Sequence, residues 1–432
     1  MNSSLQAGVG RADVTPPLGI HLFGYPMQDR VAESIADPLY ATSLVLSRDG
    51  VKAAIISLDW IMIEDDDLAA IRRGVHESTA IAEANVTICA IQTHTAPATM
   101  SAWGWGDKVV EYVNAMIPRI VGSVVEANNA LQPARLGIGT TQSEVGVNRR
   151  GIGEDHSVGL GRNPWGPYDP EMTVLRFEGA QGPIGTVVHY GAHPTAIGAE
   201  RLVSRDWPGV MVDRIEKITG VPALFINGAV GDVAPRTNIL GATGDGLPAA
   251  TEVGHRAALD ALRAYHEIKE FRDVEIATHV EEFLLPYNPL APLEEAQREM
   301  AAGEASKDQW GAPMCNYSHW RAVVEAHAQP PVAGLPFHQT ITQIGPIAIV
   351  PFAGEPFTEI IFRLRHLSPF PYTLCASTTN GRHGYYVTRE ALARGGYEAW
   401  VGRAYGPYML ADNIDDVLVQ ENLRLLRALH GD

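Results

Sequence analysis

The segments IGTVVHYGAHPT, Ile184 to Thr195, and PALFINGAVGDVAP, Pro222 to Pro235, bracket a stretch in which Pro208 to Thr219 reads as a helix. Each segment opens with a short apolar run and ends in a loop of Gly, His, Asn or Asp. Runs of that length bounded by turn residues read as strands. Pro208 falls in the helix's first turn, where its missing N–H costs nothing, with Asp206 available as N-cap and Gly220 to close the helix. The unit is strand, helix, strand, and it predicts an α/β fold whose site lies beyond the carboxyl ends of the strands.

The same plan extends in both directions. Val51 to Leu58 (VKAAIISL) reads as a strand, Leu68, Ile71 and Val75 recur at helical spacing, and Val86, Ile88 and Ala90 alternate again. Downstream, Gln343 to Phe352 and Tyr372 to Ser377 read as strands, each ahead of a helical pattern, and Ile414 to Leu429 as a last amphipathic helix. A helix over Ala249 to His266, a strand over Val274 to Pro286 and two short helices near Leu293 and His319 fall in a less regular stretch, about 237–336. The expectation is a single domain over 1–432, a mixed β-sheet flanked by helices, with that stretch as an inserted cap.

Composition narrows the partners. The formal net charge of −17 and the lack of a Lys/Arg cluster speak against nucleic acid and anionic membranes. Cys89, Cys315 and Cys375 are too few and too scattered for a disulfide framework or a Cys-x-x-Cys motif. The start, MNSSLQAGVGRADVTPP, has no basic and apolar leader, and no run is long enough to span a bilayer. A cytoplasmic enzyme acting on a small molecule is the simplest expectation.

Five strand ends carry polar residues: Gln92-Thr-His94, Gly191-Ala-His193-Pro, Asn227 to Asp232, Ala353-Gly-Glu355-Pro, and Gly384-Tyr385-Tyr386. Two imidazoles, a carboxylate and a phenolate suit zinc or another divalent cation with an open position for water. Each also has a plainer reading. A lone histidine at a strand end is more often a packing residue, Glu355 before Pro356 suits a helix start, and Tyr385 and Tyr386 suit a core aromatic pair. His189, within a strand, reads as buried or as support to a ligand.

Taken together, Gly8 to Pro17 (GVGRADVTPP), Asp37 to Ala41 (DPLYA), the His94 loop, Val147-Asn-Arg149, His193-Pro-Thr, Gly228 to Asp232, and Gly384-Tyr385 through Gly396-Tyr397-Glu398 resemble the catalytic domain of neutral, non-lysosomal ceramidases. The matches run in order from near residue 8 to about 410. The resemblance implies a zinc amidase that cleaves an N-acyl bond. It places His193, Glu355 and Tyr385 on zinc-ligand positions, Tyr397 on a tyrosine implicated in the reaction, and Arg149 opposite the substrate, where a guanidinium stabilises an oxyanion.

Three positions depart from the family pattern. Where the family reads His-Thr-His-Ser-Gly-Pro, Gln92 holds the place of the first histidine and His94 that of the second, so either completes the metal site, or the metal is lost. Ala234 stands where the family has serine, which excludes a serine nucleophile there and favours activated water. Arg150 replaces a serine, and it either adds charge at the substrate mouth or braces its loop against an acid. The resemblance also implies a secretion signal and a following β-sandwich domain that this chain lacks, which points from membrane ceramide towards a compact polar substrate. The expected activity is metal-assisted hydrolysis of an amide or related acyl bond. Arg149 and Tyr397 would stabilise the oxyanion, and Tyr397 or His94 would protonate the leaving group. Ester, lactone or other C–O cleavage at the same site, and a non-catalytic binding protein, are the alternatives.

Overall fold

The computed structural model describes residues 4–27, 29–102, 105–237, 246–304, 315–401 and 406–431. Three sheets carry the fold. The first has the spatial order Val86–Ala90, Val51–Leu58, Tyr40–Arg48, Gln6–Asp13, Gln132–Pro133. The second runs Ala223–Asn227, Gly182–Tyr190, Glu171–Gly179, Arg135–Gln142, and the third Ile276–Pro286, Gly334–Ile344, Ile347–Pro351, Tyr372–Ala376. All three are mixed, each having one parallel pair at an edge and antiparallel pairing elsewhere.

Each parallel pair is joined by a helix: Asp65–Thr79, Asp206–Thr219 and Thr358–Leu367. A second helix lies beside each of these, Val110–Asn129, Gly246–Glu267 and Ile414–His430 respectively. One face of every sheet is thus covered by a helix pair, with cores around Ile56, Ile71 and Ile120, around Val188, Met211 and Ala257, and around Val350, Ile360 and Leu418. The opposite faces meet in a central core that includes Leu44, Ile55, Leu175, Val187, Ile349 and Leu374. Burial on both faces explains why these strands read as continuous apolar runs rather than strict alternation.

The α/β class, with helices flanking mixed β-structure, matches the sequence expectation, but the sheet is three sheets. Three details also differ. Gln343 to Phe352 is not one strand: Gly345 turns the chain at φ +56°, making a hairpin of Gly334–Ile344 and Ile347–Pro351. Within 237–336, Gly246–Glu267 is a core-covering helix and Ile276–Pro286 pairs with Gly334–Ile344 along its whole length, so the irregular part shrinks to the excursion between them. That excursion holds the helices Leu293–Glu304 and Cys315–Ala326, packed on each other around Ala296, Trp320 and Val323. Asp206 is the first helical residue rather than the N-cap, at φ +57°.

The edge strands of the three sheets are stitched together where they end. Ser57 Oγ donates to the Phe225 carbonyl at 2.7 Å, and Asn227 Nδ2 to that of Ile91 at 2.9 Å. The Ser377 N–H donates to the Asn227 carbonyl at 2.9 Å, and Thr378 Oγ1 to that of Ala90 at 2.7 Å. Loops leaving these ends therefore enter one space.

Candidate functional site

His193 follows Gly182–Tyr190, and its loop is tied down from behind. The Asp206 carboxylate accepts from the N–H groups of Ala196 (3.1 Å), Ile197 (2.9 Å) and Trp207 (2.6 Å), and the Trp207 indole donates to the His193 carbonyl at 3.0 Å. Asp206 braces the histidine loop instead of capping its helix. The His193 ring is fully buried, and its Nδ1 lies 2.9 Å from the Val233 carbonyl. A carbonyl only accepts, so Nδ1 carries the proton and the neutral ring presents a bare Nε2.

Glu355 lies in a two-residue strand parallel to Tyr385–Tyr386, opposite Tyr385 in register. Its Oε2 is 3.0 Å from His193 Nε2, both side chains are buried, and neither atom has a hydrogen-bond partner. Two bare lone-pair atoms at that separation repel unless a proton or a cation lies between them.

His94 repeats the arrangement one loop away. Its Nδ1 is 2.9 Å from the Gly24 carbonyl, its Nε2 is buried without a partner, and its ring centroid stands 5.7 Å from that of His193, edge-on. Burial first, and His193 second, hold the His94 imidazole well below its ordinary value. Gly24 is required here: φ is +111°, and a Cβ would sit 2.8 Å from the His94 ring. Arg30, fully buried beneath this turn, donates to the carbonyls of Phe23, His94 and Glu200. Gln92, in the same loop as His94, has a left-handed backbone (φ +70°) and a buried Oε1 without a partner. A non-glycine residue persists in that region only where its surroundings over-determine it.

Arg149 forms the opposite wall. Its Nη2 donates to Tyr385 Oη at 2.9 Å and to the Gly231 carbonyl at 3.0 Å, and its Nε to Glu398 Oε1 at 3.0 Å. Its guanidinium stands 5.7 Å from the Tyr385 ring centroid and 5.8 Å from that of Tyr397. Burial opposes the charge, but Tyr385, Glu398 and Glu355 outweigh it and hold Arg149 above its ordinary value. Burial, then the Glu355 charge, push the Tyr385 phenol well up.

Arg150 is committed to protein partners. It donates to Glu398 Oε2 at 2.7 Å and to the Gly395 carbonyl at 2.7 Å, with its guanidinium 5.2 Å from the Phe357 ring centroid. Of the two sequence readings for Arg150, the loop brace stands. Glu398, the carboxylate both arginines share, was missed by sequence reasoning. Its one signal was its place beside Tyr397. Tyr25, edge-on to His94 with ring centroids 5.4 Å apart, was missed as well. His189 is a buried support, its Nε2 2.9 Å from the Cys375 carbonyl. Asp232 accepts from the Thr358 backbone and hydroxyl and from Asn148 Nδ2, and so fastens the loop beneath Arg149.

Among the described residues, no group of three or more His, Cys, Asp or Glu side chains is placed to hold a metal ion. The donor chemistry still fits one in part. His193 Nε2 and Glu355 Oε2 are two ready donors, and His94 Nε2, Gln92 Oε1 and the Tyr385 phenol are the candidates to complete the set. Tyr385 and Glu398 line a cavity of about 460 Å³ together with Glu64, Asp65, Arg382, Val387 and Leu410, and Glu64 there pairs with Arg382 and Lys108. No described helix is long and apolar enough to cross a membrane.

Residues 5–255 match the family model described as neutral/alkaline non-lysosomal ceramidase, N-terminal. No curated protein sequence matches the chain. A crystal structure of neutral ceramidase from Pseudomonas aeruginosa superposes with a TM-score of 0.76 at 20% identity, over 99% of this chain and 75% of that one. A ceramidase complexed with C2 gives the same TM-score at 19% identity and the same coverage. With more than half its length under that family model, the chain belongs to the neutral/alkaline non-lysosomal ceramidase family of hydrolases.

Proposed function

We propose that the protein hydrolyses an amide or related acyl bond of a small, polar molecule, with a divalent metal held by His193 and Glu355 and completed by His94 and Tyr385, or by Gln92 in place of His94. The observation that carries this reading is the His193 Nε2–Glu355 Oε2 approach at 3.0 Å, two buried acceptors with no hydrogen bond between them. Zinc bound there would supply a nucleophile at neutral pH by lowering the pKa of water from ~16 to ~7.

The chain's own residues supply the rest. Val233 and Gly24 fix the tautomers of His193 and His94, so both rings present Nε2. Arg149 holds the scissile carbonyl oxygen and stabilises the charge that develops on it, in a buried site where such contacts are strong. Tyr397, whose ring lies 6.2 Å from that of Tyr385, protonates the leaving group. His94 is the poorer proton donor, since its Nδ1–H is committed to Gly24 and burial disfavours a second proton. It serves as a ligand.

With Arg150 spent on Glu398, and Arg149 sharing that carboxylate, nothing favours an anionic substrate strongly. The adjoining cavity, lined by polar and apolar side chains together, suits a polar, neutral molecule. Metal analysis of the purified protein, together with a panel of small N-acyl and O-acyl compounds and long-chain ceramide in detergent, tests the proposal. Near-stoichiometric zinc with turnover of the small compounds supports it. A metal-free active protein overturns the mechanism, and efficient ceramide cleavage overturns the substrate class.

A further inference from the structure

Arg72 is a cation without an anion. It stands on the helix Asp65–Thr79, and its Nε donates to the Val86 carbonyl at 3.0 Å while its Nη2 is buried with no hydrogen-bond partner. Among the described residues only Glu83 exerts a charge on it, and the two form no ion pair. Burial outweighs that help and lowers Arg72 to about 10, so the guanidinium is charged at neutral pH. Charges this deep in a protein are ordinarily paired.

Asn380 stands beside it. Val86–Ala90 is an edge strand, and residues two apart turn their peptide groups to the same edge. Asn380 Oδ1 accepts from the Ile88 N–H at 2.9 Å, and the Asn380 N–H donates to the Ile88 carbonyl at 3.0 Å, next to the Val86 carbonyl that Arg72 holds. That leaves Asn380 Nδ2 as a second buried donor with no partner. Arg72 and Asn380 both line a cavity of about 540 Å³ whose apolar wall includes Leu68, Val280, Leu335 and Phe337. Leu335 and His383 are shared with the cavity beside Tyr385, but neither Arg149 nor the His193–Glu355 pair lines this one.

The other titrating groups around the cavity do not supply the missing anion. Asp65 and Glu83 are exposed, where water screens them, and His338 pairs with Glu282 at 2.9 Å. Burial lowers His383 to about 4, which leaves it neutral. The cavity thus joins two unpaired donors, one of them charged, to an apolar wall.

We propose that this cavity is a binding site for a small organic carboxylate, its oxygens held by the Arg72 guanidinium and the Asn380 amide and its hydrocarbon part packed against Leu335 and Phe337. Arginine presents a planar fork of donors that matches a carboxylate. The site is separate from the acyl-hydrolysing one and does not depend on that reading.

Titration calorimetry of the purified protein with hexanoate, hexanamide and inorganic phosphate at neutral pH tests it. Hexanoate is expected to bind at least ~10-fold more tightly than hexanamide, which has the chain without the charge, and than phosphate, which has the charge without the chain. Arg72→Gln should erase the preference for hexanoate over hexanamide at unchanged circular dichroism. Ala69→Trp, which adds bulk on the cavity wall and leaves Arg72 in place, should remove hexanoate binding, and it decides alone if Arg72→Gln fails to fold. Glu355→Ala is expected to bind hexanoate as the wild type does. Binding lost in Glu355→Ala but kept in Arg72→Gln or Ala69→Trp assigns hexanoate to the His193–Glu355 site and overturns the proposal. Equal binding of hexanoate and hexanamide, phosphate bound as tightly as hexanoate, or no binding at all overturns it as well.

Discussion

His193 and Glu355 are buried, approach to 3.0 Å and make no hydrogen bond with each other. Replacing either by alanine removes one bare polar atom and relieves the lone-pair conflict in the metal-free protein. His193→Ala and Glu355→Ala are therefore expected to fold, to lose bound metal and to lower kcat/KM by at least ~100-fold. Metal content beside circular dichroism checks this, and two variants that retain full metal would refute the ligand set. Gln92→His is the complementary change. Imidazole is a better zinc donor than an amide oxygen, so zinc affinity is expected to rise if Gln92 faces the metal. Unchanged affinity, read by competition with a chelator, assigns the position to His94.

Two local elements hold the residues that act. The turn at Phe23 and Gly24 supplies the carbonyl that sets the His94 tautomer and reaches it only through a glycine at φ +111°. Gly24→Ala adds backbone strain and a 2.8 Å contact with the ring. It is expected to cost about 1–2 kcal/mol and to lower activity more than stability, as denaturant titration beside initial rates would show. The short helix Tyr397–Val401 supplies Glu398, whose carboxylate fastens both Arg149 and Arg150. Breaking a buried charge pair leaves its partners uncompensated, so Glu398→Gln is expected to cost about 3 kcal/mol. With Arg149 no longer aimed, kcat should fall about 10- to 100-fold with KM little changed. A variant with wild-type kcat would show that Arg149 needs no such anchor.

At the scale of the whole molecule, buried titrating groups shape stability against pH. Burial pushes Asp59 and Asp232 up to about 7 and Asp206 to about 6, whereas unfolded carboxyls titrate near ~4. Their folded values are raised, so their contribution is full below pH ~4 and is lost as pH rises through about 6 to 7. Burial lowers His94, His189 and His383, the last to about 4, and their contribution is full above pH ~6.5 and lost as pH falls. The two sets oppose each other between pH ~4 and ~6.5. The metal-free protein is expected to be about equally stable across that window and weaker on both flanks. Denaturant midpoints across the range test this, and a midpoint still rising above pH ~7 would rule it out.

The local pattern was sufficient for the strand–helix–strand units and for the loops that bear His94, His193, Glu355 and Tyr385, because period, turn residues and strand ends are short-range properties of the chain. Gly220, in the left-handed conformation at φ +74°, closes its helix as its position implied. Long-range partners decided the rest. One apolar run serves equally in one sheet or in three, and only the helix pairs and the shared central core separate those outcomes. The hairpin at Gly345 was hidden because a continuous apolar run does not show a reversal that one positive φ makes. Arg150 read equally as a substrate contact or a brace until Glu398, 248 residues away, was brought beside it. Arg72 and Glu398 carried almost no local signal for the same reason. The missing carboxylate of one and the two arginines of the other exist only once distant segments share one buried space, where polar atoms must be paired with protein or kept for a ligand.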